Sequence, residues 1–233
     1  MTKFIAVVSG KGGTGKTTTA VNLAASLNNL GRDVILLDGN LTTPNIGIHL
    51  GMDAPVGLYD ILKGKNNLSE AIYLHPSGLM IIPSNVNLEP ASNYNKKLSS
   101  ILLDLVGKSE IVIADSATNL GEDTLSILKS SDEAIVVTNP NLPAITDALK
   151  TIKIAEDCGS VVIGVVLNRI TNNRLDIPVK DVKNMLDKPI IAEIPEDKKV
   201  QESILIRHPL VYSHPNSAAS IKFKRLADLL NNG

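Results

Sequence analysis

The chain has 233 residues, of which 43% are hydrophobic and 20% charged, so we expect one domain over residues 1–233 with a large core. A formal net charge of −1 at pH 7 argues against broad electrostatic binding to DNA or RNA, and no specific nucleic acid partner is expected. The single cysteine, Cys158, excludes an internal disulfide and a Cys-x-x-Cys metal site, and the four histidines stand apart from one another. The sequence shows no signal-peptide pattern and no apolar run of about 20 residues, which predicts a soluble, cytoplasmic protein.

Short apolar runs alternate with longer amphipathic stretches along the chain. We predict buried strands at 4–8, 34–37, 79–82, 111–114, 134–137, 161–167 and 190–194. Helices are predicted at 16–30, 96–106, 122–129, 142–156, 179–186, 198–205 and 217–230, with short helices and turns at 55–76 and a polar loop at 85–94. This alternation predicts an α/β fold with a mostly parallel sheet of seven or eight strands and helices on both faces. Ligands of such sheets bind at the carboxyl ends of the strands.

A glycine-rich loop between the first predicted strand and the first predicted helix matches the G-x-x-x-x-G-K-[ST] pattern of a phosphate-binding P-loop. Its candidate binding residues are Gly10, Lys11, Gly12, Gly13, Thr14, Gly15, Lys16, Thr17 and Thr18. The glycines allow backbone N–H groups to converge on a phosphate, and the helix N-terminus adds positive charge there. Lys16 can reach the β- and γ-phosphates, and the Thr17 hydroxyl can ligate Mg²⁺. The strand–turn–helix context disfavours an ordinary glycine-rich turn and predicts a P-loop fold that binds a nucleoside triphosphate.

Two aspartates at the ends of predicted strands complete, with Thr17, a candidate magnesium site. Asp38 follows the second strand, where its carboxylate can hold the water shell of Mg²⁺ near the γ-phosphate. The alternative is an aspartate that only caps the next turn. Asp115 ends a strand of the Walker B form, and it can bind Mg²⁺ through water or hold the phosphate-side lysines in place.

Asn168 ends the sixth predicted strand and is a candidate contact for a nucleotide base. Its amide can pair with both a donor and an acceptor on a purine edge. The next residue, Arg169, either belongs to the same site or is simply solvated or ion-paired.

An apolar stripe with spacings of four, three and four runs along the last predicted helix, formed by Ala219, Phe223, Leu226 and Leu230. The basic residues Lys222, Lys224 and Arg225 lie off that stripe. Such a helix either lies on a membrane or docks on the sheet. Docking is the commoner outcome, so membrane contact is the less favoured interpretation.

The string Lys-Gly-Gly-Thr-Gly-Lys-Thr-Thr that begins at Lys11 resembles the deviant Walker A motif of the MinD/ParA ATPases. The likeness runs from about residue 3 to about residue 230. The segment Asp-Gly-x-Leu-Thr-Thr-Pro-Asn, which begins at Asp38, is most similar to archaeal-type MinD-like ATPases. This resemblance implies that Lys11 crosses a two-fold axis to the phosphates of a second subunit, and that two ATP molecules with Mg²⁺ lie between the subunits of a homodimer.

The same resemblance implies the residues that contact the base. In the family, an asparagine in an Asn-Arg dipeptide contacts the base, which corresponds here to Asn168. The Ile-Pro-Glu-Asp loop that contains Pro195 and Glu196 is similar to a family loop that covers the adenine, although a plain proline-led turn into the helix at 198–205 is the alternative. Because the guanine-recognition signature Asn/Thr-Lys-x-Asp is absent from the sequence, adenine is favoured.

The sequence departs from the family pattern in both switch regions. Switch I of the family usually reads Asp-x-Asp, and its second aspartate helps to orient the attacking water, whereas this chain has Asn40. An amide can bind water but cannot accept a proton as a carboxylate does. Switch II lacks the usual proline and glycine, since Ala117, Thr118 and Asn119 follow Ser116. We therefore expect slow hydrolysis and a long-lived dimer with bound ATP.

The resemblance favours an ATPase that acts as a molecular switch, with Lys11, Lys16, Asp38 and Asn40 as the candidate catalytic residues. Such a switch would control spatial positioning or the recruitment of a protein partner or activator, which the sequence does not identify. One alternative is a ParA-type ATPase that partitions DNA or cargo, which needs a basic face. Another is a metabolic P-loop kinase or ligase, which has no need of Lys11.

Overall fold

The computed structural model describes residues 2–85, 98–171 and 173–232. Within them, the strands are β1 (Lys3–Val8), β2 (Val34–Asp38), β3 (Tyr73–Leu74), β4 (Met80–Ile82), β5 (Ile111–Asp115), β6 (Glu133–Thr138), β7 (Val161–Ile170) and β8 (Ile190–Pro195). They form one sheet in the order β3-β4-β2-β5-β1-β6-β7-β8. Every pair is parallel except β3 with β4, which is antiparallel. The predicted α/β fold with a mostly parallel sheet is confirmed.

The helices of the described residues are α1 (Lys16–Asn29), α2 (Ile46–Leu50), α3 (Leu58–Leu62), α4 (Leu98–Asp104), α5 (Glu122–Lys129), α6 (Leu142–Asp157), α7 (Val179–Leu186), α8 (Lys198–Leu205), α9 (Leu210–Ser213) and α10 (Ala218–Asn231). A short 3-10 turn covers Leu68–Ala71. The seven predicted helices lie close to these bounds. Residues 96 and 97 of the predicted helix 96–106, which corresponds to α4, and residues 86–94 of the predicted polar loop lie outside the described residues.

The edge of the sheet differs from the prediction. The segment 55–76 contains the expected short helices, but it also contributes β3, which pairs antiparallel with β4 through Tyr73 and Leu74. A strand of two residues is too short to show the alternation that identifies longer strands. The helices α2 and α9 were also missed, because four or five residues do not establish a helical period.

Each face of the sheet is covered by its own hydrophobic layer. Phe4, Ala6 and Val8 of β1 point toward the layer built from α3, α4, α5, α6 and α7. Ile5 and Val7 point toward α1, α9 and α10 on the opposite face. Both faces of β1 are therefore buried, which explains why its sequence is a continuous apolar run rather than an alternating one.

The last helix docks on the core. Ala219, Phe223 and Leu226 are buried, and α10 packs against α1 and β8. The apolar stripe of this helix therefore covers the sheet, as the favoured interpretation expected. Across residues 2–85, 98–171 and 173–232, no helix combines the length and the apolar character needed to cross a membrane.

Parallel pairing gathers the polar strand ends at one edge of the sheet. Asp38 at the end of β2 is the register partner of Asp115 at the end of β5, and Asp115 also pairs with Val7 beside the glycine-rich loop. Asn168 lies near the end of β7, on the other side of that loop. The topology thus places acidic groups on one side of the loop and an amide on the other.

Candidate functional site

The glycine-rich loop has the backbone geometry that a phosphate cradle requires. Gly13 and Gly15 have φ angles of 77° and 91°, in the left-handed region that favours glycine. A Cβ atom on Gly15 would also lie 2.0 Å from Nδ2 of Asn168, so this position has no room for a side chain. The Thr14 hydroxyl donates to the Ser9 hydroxyl at 3.0 Å and ties the two ends of the loop together.

Lys16 is buried at the start of α1 and is held by the end of β5. Its ammonium donates to Oδ1 of Asp115 at 2.8 Å and also to the carbonyl of Ser116. The other oxygen of the same carboxylate, Oδ2, accepts the Thr17 hydroxyl at 2.6 Å. Asp115 therefore orients both residues that the sequence assigns to phosphate and metal binding.

The Asp38 carboxylate is fully buried and is bonded by backbone amides. Its Oδ1 accepts the N–H of Asn40 at 3.1 Å, and its Oδ2 accepts those of Asn45 and Ile46 at 3.1 and 3.0 Å. Asp38 thus caps the turn that leads into α2, the role that the sequence left open as an alternative. Burial, and next the nearby charge of Asp115, raise the pKa of Asp38 to about 7, even though the amides of Ile46 and Asn40 and the charge of Lys16 lower it.

The three candidate magnesium ligands offer a hard oxygen set that fits Mg²⁺. Thr17 and Asp115 are in direct contact, and Asp38 lies opposite Asp115 in the sheet register. Burial and, second, the charge of Asp115 raise the pKa of Asp38, and a divalent cation at this place would favour its ionised form. Among the described residues no group of three or more acidic, histidine or cysteine residues forms a complete cage. Mg²⁺ usually takes one or two carboxylates together with substrate phosphates, and Asp38 and Asp115 are two such carboxylates.

The side chain of Asn40 points into the loop that follows β2, where it is bonded to Thr43. Its Nδ2 donates to the carbonyl of Thr43 at 2.6 Å, and its Oδ1 accepts the Thr43 N–H at 3.0 Å. The side chain is only 1% exposed. In this arrangement both ends of the amide are bonded within the loop, so Asn40 does not present a free polar atom to an attacking water.

Most of the predicted binding residues line one cavity of about 350 Å³ at the carboxyl edge of the sheet. The predicted residues in its lining are Lys11, Gly13, Thr14, Gly15, Lys16, Thr17, Thr18, Asn168, Arg169, Pro195 and Glu196. Two other loop glycines do not line it: Gly10 lies against α6, where a Cβ atom would be 2.7 Å from the Thr151 hydroxyl, and Gly12 faces open space. Asp38 and Asp115 lie buried behind the lining.

The side of the cavity that carries Asn168 is held by an ion pair. Arg169, at a φ of 60°, donates through Nε to Oε2 of Glu196 at 2.7 Å, which joins the end of β7 to the loop after β8. Its NH1 group also donates to the Gly13 carbonyl at 3.4 Å. Arg169 is thus ion-paired, which is one of the alternatives that the sequence left open for this residue. Both members of the pair also line the cavity, together with Pro195.

Several residues of the site were missed by the sequence reasoning. Asn45, His49 and Thr118 line the cavity, and His49 comes from the short helix α2. Burial lowers the pKa of His49, which favours its neutral form. The sequence presents His49 as an isolated histidine, and only the tertiary position of α2 brings it to the glycine-rich loop. Asn139, which directly follows β6, also belongs to this group, because its amide donates to the Thr14 carbonyl at 3.3 Å.

A parallel sheet with a glycine-rich loop after its first strand, a buried loop lysine paired with a strand-end aspartate, and a cavity over that loop define a P-loop nucleotide-binding protein. The chain belongs to the family described as the CobQ/CobB/MinD/ParA nucleotide binding domain, whose model matches residues 5–210. The MinD/ParA resemblance seen in the sequence is therefore confirmed.

Three known proteins illustrate the similarity. An uncharacterised ATP-binding protein of Methanocaldococcus jannaschii is 38% identical over 225 residues, which is 96% of this chain and 85% of that protein. The septum site-determining protein MinD of Pyrococcus horikoshii, solved with Mg-ADP, superposes with a TM-score of 0.94 at 35% identity, covering 99% of this chain and 96% of that one. MinD in the MinC:MinD cell division complex of Aquifex aeolicus has a TM-score of 0.87 at 25% identity, covering 99% of this chain and 96% of that one.

Proposed function

We propose that the chain, acting as one domain over residues 1–233, is an ATP-dependent molecular switch. It binds ATP with Mg²⁺, associates into a homodimer with the nucleotides between the subunits, and hydrolyses ATP to ADP and phosphate. The bound state recruits a protein partner or activator and thereby controls the position of a cellular structure. The similar proteins described above, an ATP-binding protein and MinD structures with Mg-ADP or with MinC, support this assignment.

The observation that carries the proposal is the contrast between two lysines of one loop. Lys16 is 4% exposed and is paired with Asp115 inside the protein. Lys11 is exposed at the lining of the same cavity, and among the described residues its ammonium has no ion-pair partner. A cation that is left unpaired at the rim of a phosphate cavity is available to the phosphates of a second subunit.

The residues of the chain would perform the reaction by positioning and by charge. The loop amides and Lys16 would hold the β- and γ-phosphates. Thr17, Asp38 and Asp115 would hold Mg²⁺, and the bound ion would neutralise charge on the transferred phosphoryl group. Lys11 from the opposite subunit adds a further positive charge. A water molecule then attacks the γ-phosphorus, the bond to the β–γ bridging oxygen breaks, and ADP leaves. Residue 40 is an asparagine and its amide is bonded to Thr43, so no carboxylate at this position orients the water, and hydrolysis is slow.

The test is the molar mass of the protein in solution, measured by light scattering with Mg²⁺ and either ADP or ATP. We expect a monomer with ADP and a dimer with ATP for the wild type, and a monomer in both cases for Lys11→Ala. Lys108→Ala, which removes an exposed lysine on a turn near the amino ends of the strands, is the matched control and should dimerise normally. A wild-type protein that stays monomeric with ATP, or a Lys11→Ala variant that dimerises as well as the control, would refute the proposal.

A further inference from the structure

One carbonyl of the glycine-rich loop is bonded by two asparagine side chains from neighbouring strand ends. The Thr14 carbonyl accepts Nδ2 of Asn168 at 2.7 Å and Nδ2 of Asn139 at 3.3 Å. Because a carbonyl oxygen can only accept hydrogen bonds, these contacts determine which end of each amide faces the loop. In both residues the nitrogen points to Thr14.

This orientation leaves the oxygen of the Asn168 amide for a ligand. Asn168 is 6% exposed and lines the cavity, and within residues 2–85, 98–171 and 173–232 no donor is bonded to its Oδ1. The close approach of its Nδ2 to the loop depends on Gly15, where a Cβ atom would lie only 2.0 Å away. The cavity therefore presents a buried acceptor at this point, while the nitrogen of the same amide faces the Thr14 carbonyl.

Asn139 fixes this arrangement from the side. Besides the Thr14 carbonyl, its Nδ2 donates to the backbone carbonyl of Asn168 at 3.0 Å. One amide group thus holds both the backbone of Asn168 and the carbonyl to which the Asn168 side chain is bonded. Without the Asn139 side chain, the Asn168 amide is less restricted in its rotation. The cavity then no longer consistently faces the oxygen of that amide rather than its nitrogen.

We propose that Asn139 is a positioning residue that makes the cavity selective for a 6-aminopurine over a 6-oxopurine. The inference rests on the proposed function, because it requires the base of the nucleotide to lie at Asn168. The amino group of adenine donates a hydrogen bond to the Asn168 oxygen. Guanine has a carbonyl at the same position, so two acceptors would face each other and both would be left unpaired in a buried site, which is costly.

The test compares the dissociation constants of ATP and GTP, each with Mg²⁺, by isothermal titration calorimetry. We expect Asn139→Ala and the isosteric Asn139→Asp to lower the preference for ATP over GTP by about fivefold or more, since an oriented hydrogen bond is worth a factor of this order. The matched control is Asn141→Ala. Asn141 lies in the same loop, but its side chain accepts the Ala144 N–H at 3.1 Å and only caps α6. This control should lose thermal stability and keep the nucleotide preference.

The outcomes separate a positioning role from a structural one. A lower preference in both Asn139 variants, with the preference of Asn141→Ala unchanged, supports the inference. Equal weakening of ATP and GTP binding in the Asn139 variants would overturn it and leave the proposed function standing, because Asn139 would then only maintain the loop. Wild-type protein that binds neither nucleotide would refute the proposed function and the inference together. Melting of the unliganded variants, measured in parallel, shows that each one is folded at the temperature of the titration.

Discussion

Asp38 and Asp115 are register partners at the ends of two neighbouring parallel strands, and both side chains are completely buried. Lys16 is paired with Asp115, whereas Asp38 is bonded by the backbone amides of the turn into α2. Burial of the Asp38 carboxylate and, second, the nearby charge of Asp115 raise the pKa of Asp38. The protonation state of Asp38 in the unliganded protein therefore changes with pH around 7.

The first prediction concerns pH. The pKa of Asp38 is about 7 in the folded protein against an ordinary value of 3.8, so the folded state keeps a proton that the unfolded chain loses between these values. The free energy of unfolding of the unliganded protein should therefore fall as pH rises from about 4 to about 7 and then level off. Bound Mg²⁺ favours the ionised form, so binding of ATP with Mg²⁺ should release a proton near pH 6 and almost none near pH 8.

Calorimetric titration in buffers of different ionisation enthalpy measures this proton directly. The control is Asp38→Asn, which cannot release one. If the apparent binding enthalpy of the wild type near pH 6 were the same in all buffers, Asp38 would already be ionised and this explanation would be wrong.

The second prediction concerns the buried ion pair. Lys16→Ala leaves the Asp115 carboxylate buried without its cation, and removing one partner of such a pair should lower the free energy of unfolding by about 3 kcal/mol. The same variant should lose ATP binding. Urea unfolding of the unliganded protein measures the change.

Lys11→Ala is the matched comparison, because it removes an exposed lysine of the same loop. Its free energy of unfolding should stay within about 0.5 kcal/mol of the wild type. Equal destabilisation by the two substitutions would mean that the pair with Asp115 contributes nothing specific to stability.

The third prediction concerns Asn40. Asn40→Asp replaces the donor to the Thr43 carbonyl by a carboxylate oxygen, which that carbonyl repels. We expect the new side chain to turn out of its loop, accept a proton from the attacking water and raise the rate of phosphate release at least about tenfold. Loss of the buried hydrogen bond should lower the free energy of unfolding by about 1 to 3 kcal/mol.

Thr43→Ala is the control that separates the effect of the added carboxylate from the effect of a loosened loop. It removes the Thr43 hydroxyl, which bonds the Asn40 amide, without adding a carboxylate, so its rate should remain within about twofold of the wild type. An unchanged rate in Asn40→Asp, or an equal increase in Thr43→Ala, would contradict the proposed effect of Asn40.

The fourth prediction concerns the last helix. Phe223 is fully buried between α10 and the core, so Phe223→Ala should lower the free energy of unfolding by about 3 to 5 kcal/mol. Leu229 on the same helix is 51% exposed, and Leu229→Ala should cost less than about 0.5 kcal/mol. Urea unfolding of both variants provides the comparison.

The same helix predicts weak membrane binding, because its apolar stripe is already used in the core. Sedimentation with anionic phospholipid vesicles in the presence of ATP and Mg²⁺ should leave the wild-type protein in the supernatant. Strong sedimentation that disappears in Leu229→Ala would show that the outer face of α10 binds lipid.

Much of the fold could be predicted because its signals are local. The apolar runs of β1 and β5 are continuous, since both faces of these strands are buried, and α5 and α7 begin and end where their periodicity predicts. The elements that were missed are short. Tyr73 and Leu74 form a strand only because they pair with the edge of β4, and this pairing cannot be predicted from a local sequence pattern.

From the amino-acid sequence alone one can predict a glycine-rich loop, with Lys16 and Thr17, ahead of a helix, and acidic and amide residues after the strands. These features depend on residue type and on spacing along the chain. How these groups meet depends on contacts in the folded protein. Burial and then Asp115 raise the pKa of Asp38, Asn40 is bonded to Thr43, and Asn139 is bonded to the Thr14 carbonyl. Composition and periodicity do not specify these contacts, because burial, charge interactions and hydrogen bonds depend on distances between residues that are far apart in the chain.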